Sequence, residues 1–267
     1  MNEKVLFKTR VTEIIYMISI YILILTTSIL AFTGCKLNKK SKDSNGKIVI
    51  NSEQRVDSVF SVSNFNGINV NSICKVIVIQ DSIINSPIVK INSDKNFIKN
   101  VILLVENGIL KIDYNEESSS DKDNMKNVIY VTINELTSLE VSGAASISSQ
   151  GNITAKKLSL IMSGIGSIDV NCKTDSLLSE VSGTGKLEIN GSTLNHQAEV
   201  SGIGGIEAKN LIAKNSNVQV IGAGGCEVFV TDSLIAEVSG IGGIKYYGNP
   251  KCIKKELSGF GSIEKDE

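Results

Sequence analysis

Glycine-rich strings are the first feature of this sequence whose residue types could do chemistry. The seven residues VSGIGGI occur at 200–206 and again at 238–244. Such a string binds phosphate where a strand precedes it and a helix N-terminus follows, because free N–H groups and the helix dipole hold the anion. Here alternating, strand-like sequence follows the glycines, and similar strings recur along the chain. We therefore expect no nucleotide or other cofactor at the glycines.

A histidine that could act as a general base is present at one position only, His196. Hydrolysis by a nucleophile and a base needs such a partner within hydrogen-bond distance. His196 stands in the polar sequence NHQ, which is typical of a surface turn, and no group of histidines or cysteines has the spacing of metal ligands. We therefore predict no catalytic residue and a protein that is not an enzyme.

Acidic residues recur at fixed places beside the glycine strings. One set precedes the strings and the other follows them: Glu140, Glu180, Glu199, Glu237 and Glu256, then Asp169, Glu188, Glu207, Glu227 and Glu264. In stacked strands these carboxylates would form outward columns, where charges about 5 Å apart in water repel by about 0.8 kcal/mol. A solvated charged face tolerates that repulsion. The alternative is a weak calcium site, whose candidate ligands are Glu180, Glu188, Glu199, Glu207 and Glu237.

The elements that carry these residues repeat along the chain. Seven related segments occur, and their first glycines lie 18 to 21 residues apart: Gly143, Gly164, Gly183, Gly202, Gly222, Gly240 and Gly259. Apolar and polar residues alternate within each segment, which indicates strands. Because the turns are too short for a helical crossover, the pattern favours an all-β fold, a parallel β-helix (solenoid) of about 19 residues per coil. We assign seven coils to residues 135–267.

Alternation also assigns each side chain to a face of the predicted coil. If Val181 points inward, the repeat glycines follow on the inner side, and a glycine column lets every coil bend at the same place. Cys226 falls in an apolar column, so we predict a buried free thiol there rather than a disulfide. The residue between the glycines, such as Ile203, points outward under strict alternation. It points inward if the glycines turn a corner, and we favour the corner.

The segment before the repeats, residues 48–134, is also strand-like. Sequences such as KVIVIQ (75–80) and VIYVTI (128–133) are rich in β-branched residues, although their spacing is less regular than that of the later coils. We interpret this segment as opening coils or a β cap continuous with the solenoid, because terminal repeats must cover the open end of the core.

The N-terminus has the order of an export signal. Basic residues precede an apolar stretch from about residue 11 to 32, and small residues lead to Cys35. This order resembles a bacterial lipoprotein signal, so we predict a signal peptide at 1–34 and a lipid on Cys35. The stretch is also long enough to span a bilayer as an uncleaved helix. Residues 35–47 form a polar, lysine-rich tether, and both interpretations place the remainder outside the cytoplasm.

Residues 55–264 resemble the bacterial family described as putative auto-transporter adhesin, head GIN domain. The resemblance is carried by FNGINVNSICKVIVIQ (65–80), NGILKI (107–112) and the S-G-x-G segments from Ser142 to Ile263, with one departure at Ile221, which replaces a serine. The resemblance implies a right-handed parallel β-helix, often on a lipoprotein, with adhesion as the proposed role.

These features predict a non-enzymatic, membrane-anchored lipoprotein of the cell envelope, on the periplasmic side or at the cell surface. Its long faces would bind a protein or glycan partner. A carbohydrate-active β-helix enzyme is an alternative, and its carboxylates would be confined to one or two coils. A scaffold that stacks end to end is another, and an uncapped last coil would be its sign. The net charge of −1 gives no bulk electrostatic reason to bind nucleic acid.

Overall fold

The computed structural model describes residues 41–42, 48–49, 55–115 and 126–266. The predicted signal peptide, Cys35 and most of the tether lie outside these residues. The chain divides into two compact units, Met1–Glu53 and Gln54–Glu267. In the first unit, β1 (Ser41–Lys42) pairs with β2 (Ile48–Val49) in antiparallel fashion. No helix among the described residues has the length and apolar character needed to cross a membrane.

The second unit opens with an irregular β region that contains one short helix. Its elements are β3 (Val56–Ser61), β4 (Gly67–Asn71), β5 (Lys75–Gln80), β6 (Ile88–Ser93), α1 (Lys95–Asn100), β7 (Val101–Glu106), β8 (Ile109–Tyr114), β9 (Val128–Ile133) and β10 (Ser138–Val141). The pairs β3–β6, β6–β9 and β7–β8 are antiparallel. The α1 helix begins where an Asp94 carboxylate oxygen accepts the Phe97 N–H at 2.8 Å, and the Phe97 ring stacks on Tyr114.

A regular parallel solenoid follows. Its strands are β11 (Ala144–Met162), β12 (Ile165–Val181), β13 (Thr184–Val200), β14 (Ile203–Val220), β15 (Ala223–Val238), β16 (Ile241–Tyr247), β17 (Cys252–Leu257) and β18 (Phe260–Lys265). Each of β11 to β15 is one long, bent strand that makes a whole coil and pairs in parallel with the next coil. The coils have about 19 residues and make about seven turns, so the predicted parallel β-helix is confirmed.

The register stacks like residues in columns, which builds the core. Val181 pairs with Met162 on one side and Val200 on the other, and Leu187 pairs with Ile168 and Ile206. All of these side chains are buried. One continuous apolar cluster therefore runs through the solenoid and into the opening β region, where Phe97 and Leu110 belong to it.

The first regular coil, β11, rests on strands from two separate parts of the chain. Its beginning pairs with β5, where Ser146 faces Lys75, and its end pairs with β10, where Ser159 faces Ser138. Strand β4 then lies beyond β10, and β9 lies beyond β5. The described strands of the opening region therefore share one sheet with the solenoid, through strands that are out of chain order.

Candidate binding surface

The first two glycines of each S-G-x-G segment allow neighbouring coils to approach closely. A Cβ atom on Gly202 would lie 2.1 Å from the Gly183 carbonyl oxygen, and one on Gly204 would lie 1.9 Å from the Gly185 oxygen. Gly204 also has a φ of +142°, which few L-residues adopt. A side chain at either position would therefore collide with the backbone of the preceding coil instead of entering the core. These glycines thus allow the coils to stack closely.

The residue between the two glycines lies on the outside of the corner. Ile165 and Ile203 are both 63% exposed, Ile241 is 66% exposed and Phe260 is 85% exposed. The interpretation that we favoured from the sequence, an inward corner, is therefore wrong. The chain does turn here, but backbone bonds such as Ile203 N–H to the Gly183 oxygen, 2.9 Å, hold the turn, and the intervening side chain points to solvent.

These outward residues form a continuous column, which we call the ridge. Parallel pairing brings each member beside the next: Ile165, Thr184, Ile203, Ala223, Ile241 and Phe260. Ile221, the residue that replaces the repeat serine, is 51% exposed beside it. Single exposed apolar residues are ordinary on protein surfaces, whereas a continuous set along several coils is characteristic of a contact surface.

A groove of about 530 Å³ runs next to the ridge. Its floor includes Gly205, Gly225 and Gly243, and other coils carry Ser146, Ser167, Lys186 and Ser262 in the same column. A Cβ atom on Gly225 would meet nothing closer than the Gly243 oxygen at 3.4 Å. The fold therefore does not require glycine at position 225, whereas a Cβ atom on Gly205 would lie 2.9 Å from the Gly225 oxygen. The absence of side chains at these positions leaves the surface beside the ridge open.

Ion pairs line the far side of the groove. Lys186 Nζ lies 3.2 Å from a Glu188 carboxylate oxygen and 2.7 Å from one of Glu207, and Lys209 lies 3.6 Å from Glu227. The hydrogen bond to Glu207, with that to Glu188, raises the pKa of Lys186. The carboxylate column that follows the glycines is therefore partly neutralised by lysines.

The carboxylates proposed for calcium do not converge on one point. Glu188 and Glu207 share Lys186, and Glu237 accepts a hydrogen bond from Gln219 at 3.0 Å. Glu180 and Glu199 pair in register on the opposite side of the glycine corner. Within the described residues, no group of three or more acidic, histidine or cysteine side chains is placed to hold a metal ion. A calcium site remains a hypothesis.

His196 is buried, so the surface turn that we predicted for it is wrong. Its side chain is 3% exposed and occupies an inward column, beside Leu177 in one coil and Ser216 in the other. Its Nε2 atom lies 2.8 Å from Ser179 Oγ, and its Nδ1 atom is buried without a hydrogen-bond partner among the described residues. Burial lowers the pKa of His196 to about 4. A serine and a histidine do meet, and both side chains are buried, although His196 also borders a shallow groove of about 250 Å³ with Asn195 and Ser216. Ser179 is fully buried and does not line that groove.

The four cysteines within the described residues are free thiols. Cys74, Cys172 and Cys226 are buried and Cys252 is exposed. Burial raises the pKa of Cys74 to about 12 and that of Cys172 to about 11, and it also raises the pKa of Cys226. The three buried thiols are consequently unreactive small hydrophobes, as predicted for Cys226.

A second groove, of about 820 Å³, lies at another corner of the first coils and was not foreseen from the sequence. Lysines and hydroxyl groups line it, including Lys156, Lys157 and Lys173, over a buried pair in which Thr174 Oγ1 and Thr193 Oγ1 lie 2.9 Å apart. None of the three lysines has an ion pair within the described part of the chain. That these three lysines share one corner follows only from the register between the coils.

Comparisons with known proteins place this chain in a family. The family described as putative auto-transporter adhesin, head GIN domain, matches residues 64–250. A search of curated proteins found no match. Among solved structures, a putative adhesin from Bacteroides fragilis has a TM-score of 0.77 at 23% identity, with 80% of this chain and 98% of that chain covered.

Two further structures share the fold. A putative lipid binding protein from Parabacteroides distasonis has a TM-score of 0.62 at 22% identity, covering 80% of this chain and 97% of that one. A putative adhesin from Parabacteroides merdae has a TM-score of 0.62 at 17% identity, covering 80% and 96%. At these identities the likeness establishes the fold alone. The family match spans most of the chain, and the protein therefore belongs to the putative auto-transporter adhesin, head GIN domain family.

Proposed function

We propose that the chain is a non-enzymatic binding module of the cell envelope, which holds a protein or glycan partner on the ridge and the adjoining groove. The observation that carries this proposal is the ridge itself. Three isoleucines and a phenylalanine are exposed by 63 to 85% in one column that runs along successive coils, with Thr184 and Ala223 between the isoleucines. Its apolar character favours a protein partner.

The surroundings of the ridge suit recognition. Gly205, Gly225 and Gly243 leave room for a partner to approach the backbone, while Lys186, Glu207 and other charged groups line the groove. Apolar contacts with a polar rim are the usual composition of a protein interface. The parallel coils hold the ridge at a fixed spacing, which reduces the ordering cost of binding. The adhesin names of the family and of its structural relatives agree with this role.

Membrane attachment through Cys35 or an uncleaved N-terminal helix belongs to the same proposal. A Cys35→Ala variant in cells distinguishes the two forms of attachment. Lipid attachment predicts loss of the mature protein from the membrane fraction and loss of labelled fatty acid, whereas an uncleaved helix predicts that neither attachment nor mass changes. Protease added to intact cells then distinguishes the surface from the periplasm.

Site-specific photo-crosslinking in cells that make the full chain tests the binding surface. A benzophenone amino acid is placed at Ile203 or Ile241 on the ridge, and at Lys214 as the control. Lys214 is exposed in the same coil as Ile203 but lies away from the ridge. We expect discrete adducts from the two ridge positions and none from position 214. Absence of ridge adducts, or equal adducts at 214, would contradict the proposal.

Ile203→Lys provides the matched functional variant. Because Ile203 is 63% exposed, we expect its melting temperature to equal that of the wild type while adduct formation from position 241 falls. A lower melting temperature would mean that Ile203 has a structural role, and unchanged adduct formation would remove the ridge from recognition.

A further inference from the structure

The last described coil leaves one edge of the sheet unpaired. Strand β17 pairs with β15, and β18 pairs with β16, each on one side. No strand among the described residues covers their other edges. An open parallel edge carries free backbone N–H and C=O groups, which are a template for pairing with another chain.

The apolar core is also open at this end. Ile253 is 46% exposed and Leu257 is 54% exposed, while their register partners Leu234 and Val238 in the preceding coil are 1% and 0% exposed. The coil thus combines a free hydrogen-bonding edge with uncovered core residues.

Two lysines, however, stand in columns that are apolar in the preceding coils. Lys255 occupies the position of Ala236, and before it Val218 and Ala198. Lys265 occupies the position of Tyr246, which follows Val228. Ala236, Val218, Ala198 and Val228 are at most 1% exposed, and Tyr246 is 5% exposed. The last coil therefore changes the residue type at two inward positions.

Both lysines make contacts at this end of the solenoid. Lys255 Nζ lies 4.6 Å from the centre of the Tyr246 ring and donates a hydrogen bond to the Ile263 carbonyl oxygen at 3.1 Å. This hydrogen bond links β17 to β18 at the open end of the core. Lys265 Nζ donates to the Asn249 side-chain oxygen at 2.8 Å. The aliphatic stems can cover apolar surface while the ammonium groups stay in water.

We propose that the last coil is a latent self-pairing edge for a second copy of this chain, and that Lys255 and Lys265 keep it closed. A second copy has an edge of the same length and spacing, so two copies could match strand for strand. Coaxial pairing of the two ends would enclose four ammonium groups in one apolar interface. Buried like charges without carboxylate partners oppose that association, whereas solvated lysines at a free end cost little.

The opposite end of the unit favours a pair over a filament. There β7 and β8 form an antiparallel pair, and α1 places Phe97 in the core, 2% exposed. That end does not repeat the parallel spacing of the solenoid edge. Replacing Lys255 and Lys265 by apolar residues should therefore produce a two-fold dimer in which the last coils of two copies pair. This inference is independent of the ridge and of its proposed partner.

The test uses residues 54–267, the compact unit that contains the complete core. The double variant Lys255→Val with Lys265→Val restores apolar residues to both columns. Lys254→Val is the control for the change on β17, because it removes one positive charge from the adjacent, outward position of the same strand, where Lys254 pairs with Glu256 at 2.6 Å. Sedimentation velocity over a range of protein concentrations measures association.

We expect the wild type and Lys254→Val to remain monomers, and the double variant to form a discrete dimer with at least about 100-fold tighter association. Cys252 locates the contact, since it is exposed on β17 while Cys74, Cys172 and Cys226 are buried. Its maleimide labelling should slow as the double variant dimerises. A monomeric double variant, a dimer that leaves Cys252 fully reactive, equal association of Lys254→Val, or a wild-type dimer that protects Cys252 would each overturn the proposal.

Discussion

The Nε2 atom of His196 lies 2.8 Å from the Oγ atom of Ser179, and both side chains are buried inside the solenoid. The pair interrupts two columns that are otherwise mostly apolar, with Leu177 and Leu234 in one and Ala198 and Val218 in the other. Because the imidazole cannot be solvated there, it must remain neutral in the folded protein.

This burial makes folding stability depend on pH. The pKa of His196 is about 4 in the folded protein, against 6.5 for an ordinary histidine, so the unfolded chain takes up the proton first as the pH falls. The contribution of neutral His196 is therefore fully present above about pH 6.5 and is lost progressively as the pH falls towards 4. Its size is on the order of a few kcal/mol. Urea unfolding at a series of pH values measures it.

His196→Leu isolates this contribution, because leucine occupies the same column in three other coils, as Leu158, Leu177 and Leu234. We expect the difference in unfolding free energy between pH 7 and pH 4.5 to shrink in this variant, while Gln197→Leu, at an exposed neighbour, retains the wild-type difference. Identical pH profiles for wild type and His196→Leu would show that the imidazole does not titrate as its burial requires.

Two glycines in adjacent coils should respond differently to alanine. A Cβ atom on Gly204 would lie 1.9 Å from a carbonyl oxygen, at a φ of +142°, whereas one on Gly225 would have 3.4 Å of clearance. We expect Gly204→Ala to lower the free energy of unfolding by about 3 kcal/mol or more, and Gly225→Ala to change it by no more than about 0.5 kcal/mol. Thermal melts of both variants provide the comparison, and equal losses would refute the steric distinction.

Thiol chemistry should distinguish one cysteine from three. In folded residues 54–267, we expect Cys252 to react rapidly with a thiol reagent while Cys74, Cys172 and Cys226 react only after unfolding. Cys252→Ser is the control, and it should abolish the rapid phase. A rapid phase that survives this substitution would place another thiol at the surface.

Lys186 should limit the affinity of the carboxylate column for cations. Its ion pairs with Glu188 and Glu207 are partly exposed, so Lys186→Gln should lower the unfolding free energy by less than about 1 kcal/mol, and salt should reduce the loss. If the column binds calcium, the ion should raise the melting temperature of Lys186→Gln more than that of the wild type. Lys173→Gln is the control, and equal melts with calcium and with chelator in every variant would reject the calcium hypothesis.

Individual residues show which features could be predicted. The S-G-x-G period and the alternation around Val181 and Leu187 are properties of the local sequence, and they predicted both the coils and their apolar columns. The antiparallel opening strands and α1 were less accessible, because their pairing joins distant segments such as β3 and β6. The second groove also depends on register, since Lys156 and Lys173 come from different coils.

His196 shows that a correctly predicted repeat can still leave the burial of one side chain wrongly predicted. Its immediate neighbours are polar, which favoured a surface turn, and the register between β13 and β14 shifts after Glu188. That shift changes the alignment of His196 with Ser216 in the following coil, whereas the column that His196 shares with Leu177 is in continuous register. Ile203 presented a different difficulty, since both outward alternation and an inward corner are compatible with glycines on either side.

The sequence by itself determined the strand content, the period of the coils and the apolar columns of the core, because these depend on residue types at regular spacing along the chain. The tertiary structure decided which side of the glycine corner Ile203 occupies, where His196 is buried and which lysines lie across the open end. Those outcomes depend on the backbone of the neighbouring coil, which supplies the carbonyl oxygens, the column partners and the empty edge that no local pattern records.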